Sequence, residues 1–435
     1  MIRKIFFSGL MAVTLCTQGL GQNFLKVSTD NYMQTIDLDT NQILEIRLPW
    51  EPSTGYSWYQ TAPAGNNYVE QTGESKFEPI PSSGKVVQAG YQVIQFKGSS
   101  TGSCDLNFEY RRIWEKNIPA SDNFKITIHS KGKYKGNYIP PVAINKSATV
   151  QPSVYNTSTL SSLPSTFSWQ PQCSPVKDQS HCGCCWAEAA VSSFEAIINM
   201  IDSKMTDQSV QWIINCINDT SNYKGCNGGT CPFDFMKKHG VVYESDLPFA
   251  DANYDTTYAL WGIGHCGTYP HHESIENWRY LGGHNNYGQS PVDSIKTALY
   301  YNGPLWNCFY ENHVFQSYKP GTIFMQDLLG PDTSTTHCVA IVGWKDTTLS
   351  NGSSGYWICK NSWSSGFGND GYFNIAYGVS LIGCWPACIY YHGDFPNCNT
   401  TLSSPSTTGT YLDKCNIFLK PGFQSNGSFQ AKVVP

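Results

Sequence analysis

Charge is scarce in this chain. Only 14% of its 435 residues are Asp, Glu, Lys or Arg, and the formal net charge is −5. The 28 Lys and Arg are outnumbered by 33 Asp and Glu. No basic patch forms, which argues against nucleic acid as a partner. Glycine-rich phosphate loops, EF-hand spacings and internal repeats are all missing. So is any stretch near the roughly 20 apolar residues that a bilayer span requires. The apolar run Ile5–Leu15 is too short for one. It follows Arg3 and Lys4, precedes Gly19 and Gly21, and reads as a secretory signal peptide over residues 1–21. Zinc is the rival reading of Cys226-x4-Cys231 and Cys384-x3-Cys388, but neither pair has a partner Cys/His set at zinc-site spacing. No metal or cofactor is expected.

Cysteine, by contrast, is plentiful, at 17 residues. Setting aside Cys16 in the signal and one reactive thiol leaves an odd number, so at least one further thiol is unpaired or pairs between chains. The count suits an oxidising compartment, a lysosome-like vesicle or the outside of the cell. Six Asn-x-Ser/Thr triplets, at Asn145, Asn156, Asn218, Asn351, Asn399 and Asn426, are candidate glycosylation acceptors there.

The chemistry is concentrated in Gln-Ser-His-Cys-Gly-Cys-Cys-Trp-Ala, residues 179–187. Cys185 precedes a tryptophan and opens an apolar, helix-patterned run to Ile201. Ala190, Phe194, Ile197, Ile198 and Ile201 share one face of it, which reads as core. Gln179 stands six residues upstream, and His337 and Asn361 follow at 152 and 176 residues. A nucleophilic thiol needs its pKa lowered from about 8.5. A helix N-terminus and a neighbouring imidazolium both do this. Asn361 would accept from the other ring nitrogen, and Gln179 with the Cys185 N–H would donate to an oxyanion.

These segments, with Gly225-Cys226-Asn227-Gly228-Gly229, Asn302-Gly303-Pro304 and Lys360-Asn361-Ser362-Trp363, resemble the papain-like cysteine peptidases, the group that includes the cathepsins. The resemblance implies peptide hydrolysis through an acyl-enzyme, and a cleft between a helical lobe and a β-barrel lobe. It implies that Gly228 and Gly229 line the cleft and pair with extended substrate, and that Trp363 covers the His–Asn pair. It implies disulfides Cys182–Cys226 and Cys216–Cys266, and an apolar pocket near Cys231, Pro232 and Trp306. Three positions depart from the pattern: Cys184 replaces Ser, Thr336 replaces Asp or Asn, and Glu188 replaces Phe. Glu188 is expected to oppose thiolate formation, and Thr336 to shift the pH profile. The pair His271-His272 resembles an exopeptidase loop of some cathepsins, although endopeptidase is the default.

Residues 30–130 alternate apolar and polar, as in Ile43–Leu48, Tyr91–Phe96 and Leu106–Tyr110, with Gly, Pro, Asn and Ser between the runs. Period-2 runs of this kind predict a β-sandwich of roughly seven short strands. Three of its loops carry Thr54-Gly55-Tyr56, Gly90 and Arg112-x-Trp114. They resemble the chagasin-type inhibitors, immunoglobulin-like domains that insert three loops into a papain-like cleft. The helical propeptide usual in such peptidases is not seen, and the β-domain is expected to replace it.

The expected fold is therefore multi-domain, an immunoglobulin-like β-sandwich followed by an α+β two-lobed papain-like unit. The division is signal peptide 1–21, β-sandwich 22–135, linker 136–162, peptidase 163–393 and a Ser/Thr/Cys-containing extension 394–435. As a flexible coil the linker would span about 29 Å, enough to fold the β-domain over a cleft. The expected partners are peptide or protein substrates and the intramolecular contact itself. Two other classes stay open: an inhibitor or binding protein with an inactive C-terminal scaffold, and a Cys-His acyl transferase on the same fold.

Overall fold

The computed structural model describes residues 23–61, 67–79, 90–136, 163–217, 225–250, 267–281, 290–328, 335–391 and 393, with the backbone of four short strands beyond residue 399. The expected signal peptide, nearly all of the linker, five of the glycosylation triplets and Cys266 lie outside the described residues.

The described residues of the N-terminal unit form nine strands: β1 (Asn23–Ser28), β2 (Thr35–Leu38), β3 (Gln42–Trp50), β4 (Ser57–Gln60), β5 (Val69–Gln71), β6 (Lys76–Pro79), β7 (Gly90–Gly98), β8 (Thr101–Arg111) and β9 (Asp122–Lys131). One sheet runs β1-β3-β7-β5 with β6 also on β7, and the other runs β2-β9-β8-β4. Registers set apolar residues opposite one another, Ile46 against Ile94 and Leu106 against Ile126. Their inward faces share one core built on Leu44, Leu48, Phe96, Phe108 and Phe124. Sequence alternation found the long strands. It also found the four-residue β2 through Ile36-Asp37-Leu38. It passed over β4, β5 and β6, where three or four residues show little period, and β1, which precedes the stretch read as alternating.

Among its described residues the C-terminal unit has two large cores and a small third cluster at Ala340, Val342 and Tyr372. One is helical, from α1 (Cys185–Asp202), α2 (Val210–Cys216) and α3 (Phe233–His239), with Trp186, Phe194, Trp212 and Phe233 at its centre. In α1 the predicted stripe is buried at Ala190, Phe194, Ile197 and Ile198, while Ile201 packs at the margin. The second core belongs to a seven-stranded sheet: β10 (Thr166–Ser168), β11 (Asn277–Tyr280), β12 (Leu305–Phe309), β13 (His337–Asp346), β14 (Gly355–Lys360), β15 (Tyr372–Ala376) and β16 (Cys384–Tyr390). Its order is β11-β16-β12-β13-β14-β15, with β10 paired to β13. Two further helices, α4 (Val292–Asn302) and α5 (His313–Gln316), flank it. Beyond residue 399, Thr400–Leu402 pairs with Ile417–Leu419 and Gly409–Asp413 with Phe429–Val433.

A disulfide joins Cys182 to Cys226, which removes Cys226 from the zinc reading. Cys216 is disulfide-bonded as well, while its implied partner Cys266 is outside the described residues. A further bridge, Cys308–Cys338, links directly opposed residues of β12 and β13. Nothing in the sequence pattern signalled it, since the pairing exists only once the two strands are in register.

Candidate active site

Two elements from different cores meet at the site. Cys185 is the first residue of α1, so its own N–H has no partner within the helix. His337 opens β13. Asn361 follows directly on β14. The Asn361 Oδ1 lies 2.7 Å from His337 Nε2 and also accepts the Ser362 N–H at 2.9 Å. An oxygen that accepts from a backbone N–H fixes the amide's orientation, so Nε2 is the protonated ring nitrogen. Nδ1 then carries the lone pair, and it makes no hydrogen bond. The Trp363 indole stacks on the imidazole with centroids 4.7 Å apart. The Cys185 Sγ accepts the Cys338 N–H at 3.4 Å. Gln179 is held from both ends: its Nε2 donates to Cys182 O at 2.8 Å, and its Oε1 accepts from Ser362 Oγ at 2.6 Å. One amide hydrogen of Gln179 remains for another acceptor.

Cys185 and His337 are both 0% exposed, because the N-terminal unit fills the space above them. After β3 the chain turns through Pro52–Thr54, and Gly55 takes φ +79°, a left-handed conformation open to glycine at little cost. A Cβ on Gly55 would stand 2.6 Å from Trp114 and 2.9 Å from Trp363. Ser53 O accepts the Trp363 Nε1–H at 2.7 Å. Trp114 stacks on Trp363 with centroids 5.2 Å apart and meets Phe367 edge-on. Tyr56 stacks on His181 at 4.3 Å. Arg112, 1% exposed, ties the surfaces together. Its Nε donates to Thr54 O, Nη1 to Glu115 and to Asp178 at 2.9 Å, and Nη2 to Ser180 O at 3.1 Å. Burial alone would lower its pKa, but Asp178, Tyr56 and Glu115 outweigh that and hold it above its ordinary value. Further along, Ser57 Oγ donates to Gln316 Oε1 at 2.6 Å.

Electrostatically the site is at rest. Burial pushes the Cys185 thiol well up, against the pull of the Cys338 N–H and with the help of Glu51. Burial also pushes His337 down to about 3, although Asn361 opposes the shift. Burial thus favours the neutral thiol and the neutral imidazole, where the sequence pointed to a lowered thiol and an imidazolium. The helix terminus and the histidine are in place, but both of their charged forms need water that is excluded here. Glu188 also departs from expectation. It is 1% exposed, and burial raises it to about 8 with Lys177 opposing. The carboxyls that act on Cys185 are instead Glu51 and Glu311. Sequence reasoning missed both, although Glu51 adjoins the inhibitor-like loop. Glu51 Oε1 accepts from Ser53 Oγ, while Oε2 is buried and unpartnered. Burial raises this carboxyl to about 7.

The remaining candidates fall into place as follows. Gly229 packs on Trp186, where a Cβ would meet the indole at 2.5 Å, and Gly228 has φ +102°. Gly90 pairs with Trp50 at the start of β7, and a Cβ there would strike Glu78 O and Phe77, all within the β-domain. Cys231 and Trp306 are core residues at 4% and 1% exposure. His271 binds His239 O and His272 stacks on Tyr243, both on the helical side.

Residues 163–390 match the papain family of cysteine proteases, and residues 37–128 match the chagasin family of peptidase inhibitors. Among curated relatives, the oryzain gamma chain of Oryza sativa subsp. japonica is 29% identical over 51% of this chain and 57% of its own length. The thiol protease aleurain of Arabidopsis thaliana is 28% identical over 55% of this chain and 63% of its own length. The chain thus spans little more than half the length of the curated relatives it matches. Among solved structures, the bromelain protease from Ananas comosus in complex with the E64 inhibitor is 28% identical, covering 53% of this chain and 100% of that one at a TM-score of 0.42.

Proposed function

Because the chain belongs to the papain family of cysteine proteases, we propose that it hydrolyses peptide bonds through an acyl-enzyme on Cys185, and that its chagasin-like N-terminal domain keeps this site closed. In the open enzyme, His337 Nδ1 takes the thiol proton and the thiolate adds to the scissile carbonyl. Asn361 holds the imidazole, and Trp363 shields their hydrogen bond. The oxyanion is met by the Cys185 N–H and the remaining Gln179 amide hydrogen. As the C–N bond breaks, His337 returns its proton to the leaving amine. Water, deprotonated by the same nitrogen, then releases the acid and restores the thiol. Gly228 and Gly229 would offer backbone to an extended substrate.

The observation that carries this reading is a poised but dry pair, with His337 held by Asn361 at 2.7 Å and no exposed surface on either His337 or Cys185. The N-terminal domain, read as an immunoglobulin-like sandwich over residues 22–135, acts as the plug. Residues 136–162 are its tether, 163–393 the two-lobed peptidase and 394–435 an extension. Residues 1–21 and the cysteine count support passage through the secretory pathway, and Asn351 is an exposed glycosylation candidate.

The test is hydrolysis of a quenched fluorescent peptide by the whole chain, before and after the tether is cut. Cutting should raise the rate, and Cys185→Ala should abolish it by at least about a thousandfold. No hydrolysis by any form would favour the inhibitor or binding-protein reading.

A further inference from the structure

Glu311 lies between β12 and α5, outside the hydrogen-bonded set around His337. It is 0% exposed, and its Oε1 is buried without a hydrogen-bond partner. Its Oε2 has only a 3.4 Å contact from Gln316 Nε2. The ionisable groups that act on it or feel it are Glu51, Cys185, Tyr59 and Tyr310. None of them is a cation, and among the described residues it has no ion pair. A carboxyl in this state is costly to bury. The β-domain reaches this spot, since Ser57 and Tyr59 both donate to the oxygen of the Gln316 amide whose nitrogen touches the carboxyl. Burial accordingly pushes the carboxyl's pKa well above its ordinary value.

Its place relative to the chemistry follows from Thr336. That hydroxyl accepts the Glu311 N–H at 2.7 Å and donates to Glu311 O at 2.8 Å. The next residue is His337. In acyl transfer the imidazole hands its proton to the departing amine, so the amine leaves on the His337 side of the thiol. Glu311 is fastened to that same side.

We propose that Glu311 determines specificity: once the β-domain withdraws, its carboxylate selects substrates with lysine or arginine immediately after the scissile bond. The proposal rests on the peptidase reading above. In water the carboxyl returns towards its ordinary pKa of about 4.3 and is an anion at neutral pH. A basic side chain would supply the missing partner of Oε1. This gives Thr336 a structural reason, since it positions the acidic residue as well as preceding the histidine.

The test uses the full-length chain carrying Arg112→Ala and Trp114→Ala, which loosen the plug. Two quenched peptides differ only in Lys or Gln after the scissile bond, and mass spectrometry verifies the bond cut. The lysine peptide should show about tenfold higher kcat/KM at low salt. Adding Glu311→Gln should bring the ratio close to one. With Glu311 present the ratio should fall as salt rises, because a solvated ion pair is screened. That measurement needs no substitution at residue 311 and stands if Glu311→Gln fails to fold. Equal rates on both peptides, or a lysine preference indifferent to salt and to Glu311→Gln, would overturn this proposal and leave the peptidase reading intact. Cleavage of neither peptide would overturn both.

Discussion

Arg112 and Glu51 are ionisable residues of the same β-domain surface, set against the same cleft, and they are buried on opposite terms. Arg112 has four hydrogen-bond partners and lies over the Tyr56 ring at 4.9 Å. Glu51 has one side-chain hydrogen bond, from Ser53, and a carboxyl oxygen with none. A satisfied buried cation fixes geometry, whereas an unsatisfied buried acid weakens its own surroundings whenever it ionises. On the proposed reading of the β-domain as a plug, the pair would anchor it at one point and make it sensitive to pH at another.

The comparison breaks most readily at Arg112. Replacing it with alanine should weaken closure by roughly 2–5 kcal/mol, the usual cost of truncating one side of a buried hydrogen-bonded charge pair. The rate at which an epoxide labels Cys185 in the full chain would rise accordingly. An unchanged rate would remove Arg112 as the anchor.

Glu51 makes the second prediction. Its docked pKa of about 7 lies above the ordinary 4.5, so the docked state holds the proton more tightly. The contribution of Glu51 to closure is then fully present below about pH 4.5 and is lost as pH rises through 7, by roughly 300-fold in the docking equilibrium. His337, held at about 3 in the closed state, favours closure in the opposite direction, as pH rises. Glu51→Gln stays neutral and should lose this dependence. The ratio of labelling rates between the native chain and Glu51→Gln cancels the thiol's own titration. It should climb with pH, and a flat ratio would contradict the assignment.

Smaller effects sharpen the picture. Trp114→Ala removes the stack on Trp363 and should weaken closure by roughly 2 kcal/mol, as for a buried interface aromatic. Differential labelling with and without Trp114 measures this. Ser57→Ala loses one neutral hydrogen bond to Gln316, worth about 1 kcal/mol. A drop larger than that of Trp114→Ala would mean the plug is held mainly at Gln316.

Much of this was legible in the chain itself. The start of α1 was readable, and so was the meeting of Cys185, His337 and Asn361 at one place, because a cysteine before tryptophan, the helix it opens and the Lys-Asn-Ser-Trp run each leave a local mark. Thr54, Gly55, Tyr56, Arg112 and Trp114 were readable as loops, and all five lie at or beside the contact with the peptidase. Glu51, Glu311 and Gln316 were not, because their significance comes from burial between two units far apart in sequence. The ionisation of the site was misread for the same reason. Local rules lower a cysteine at a helix terminus, but dehydration by a distant domain wins here. Glu188 shows the reverse error, since adjacency in sequence suggested an electrostatic role that belongs to residues more than a hundred positions away.

The most direct test of the account is epoxide labelling of Cys185 with peptide mapping, on the full native chain and on the chain carrying Arg112→Ala with Trp114→Ala. The account predicts negligible label on Cys185 in the first and rapid label in the second. Equal, rapid labelling of both would show that the β-domain does not close the site.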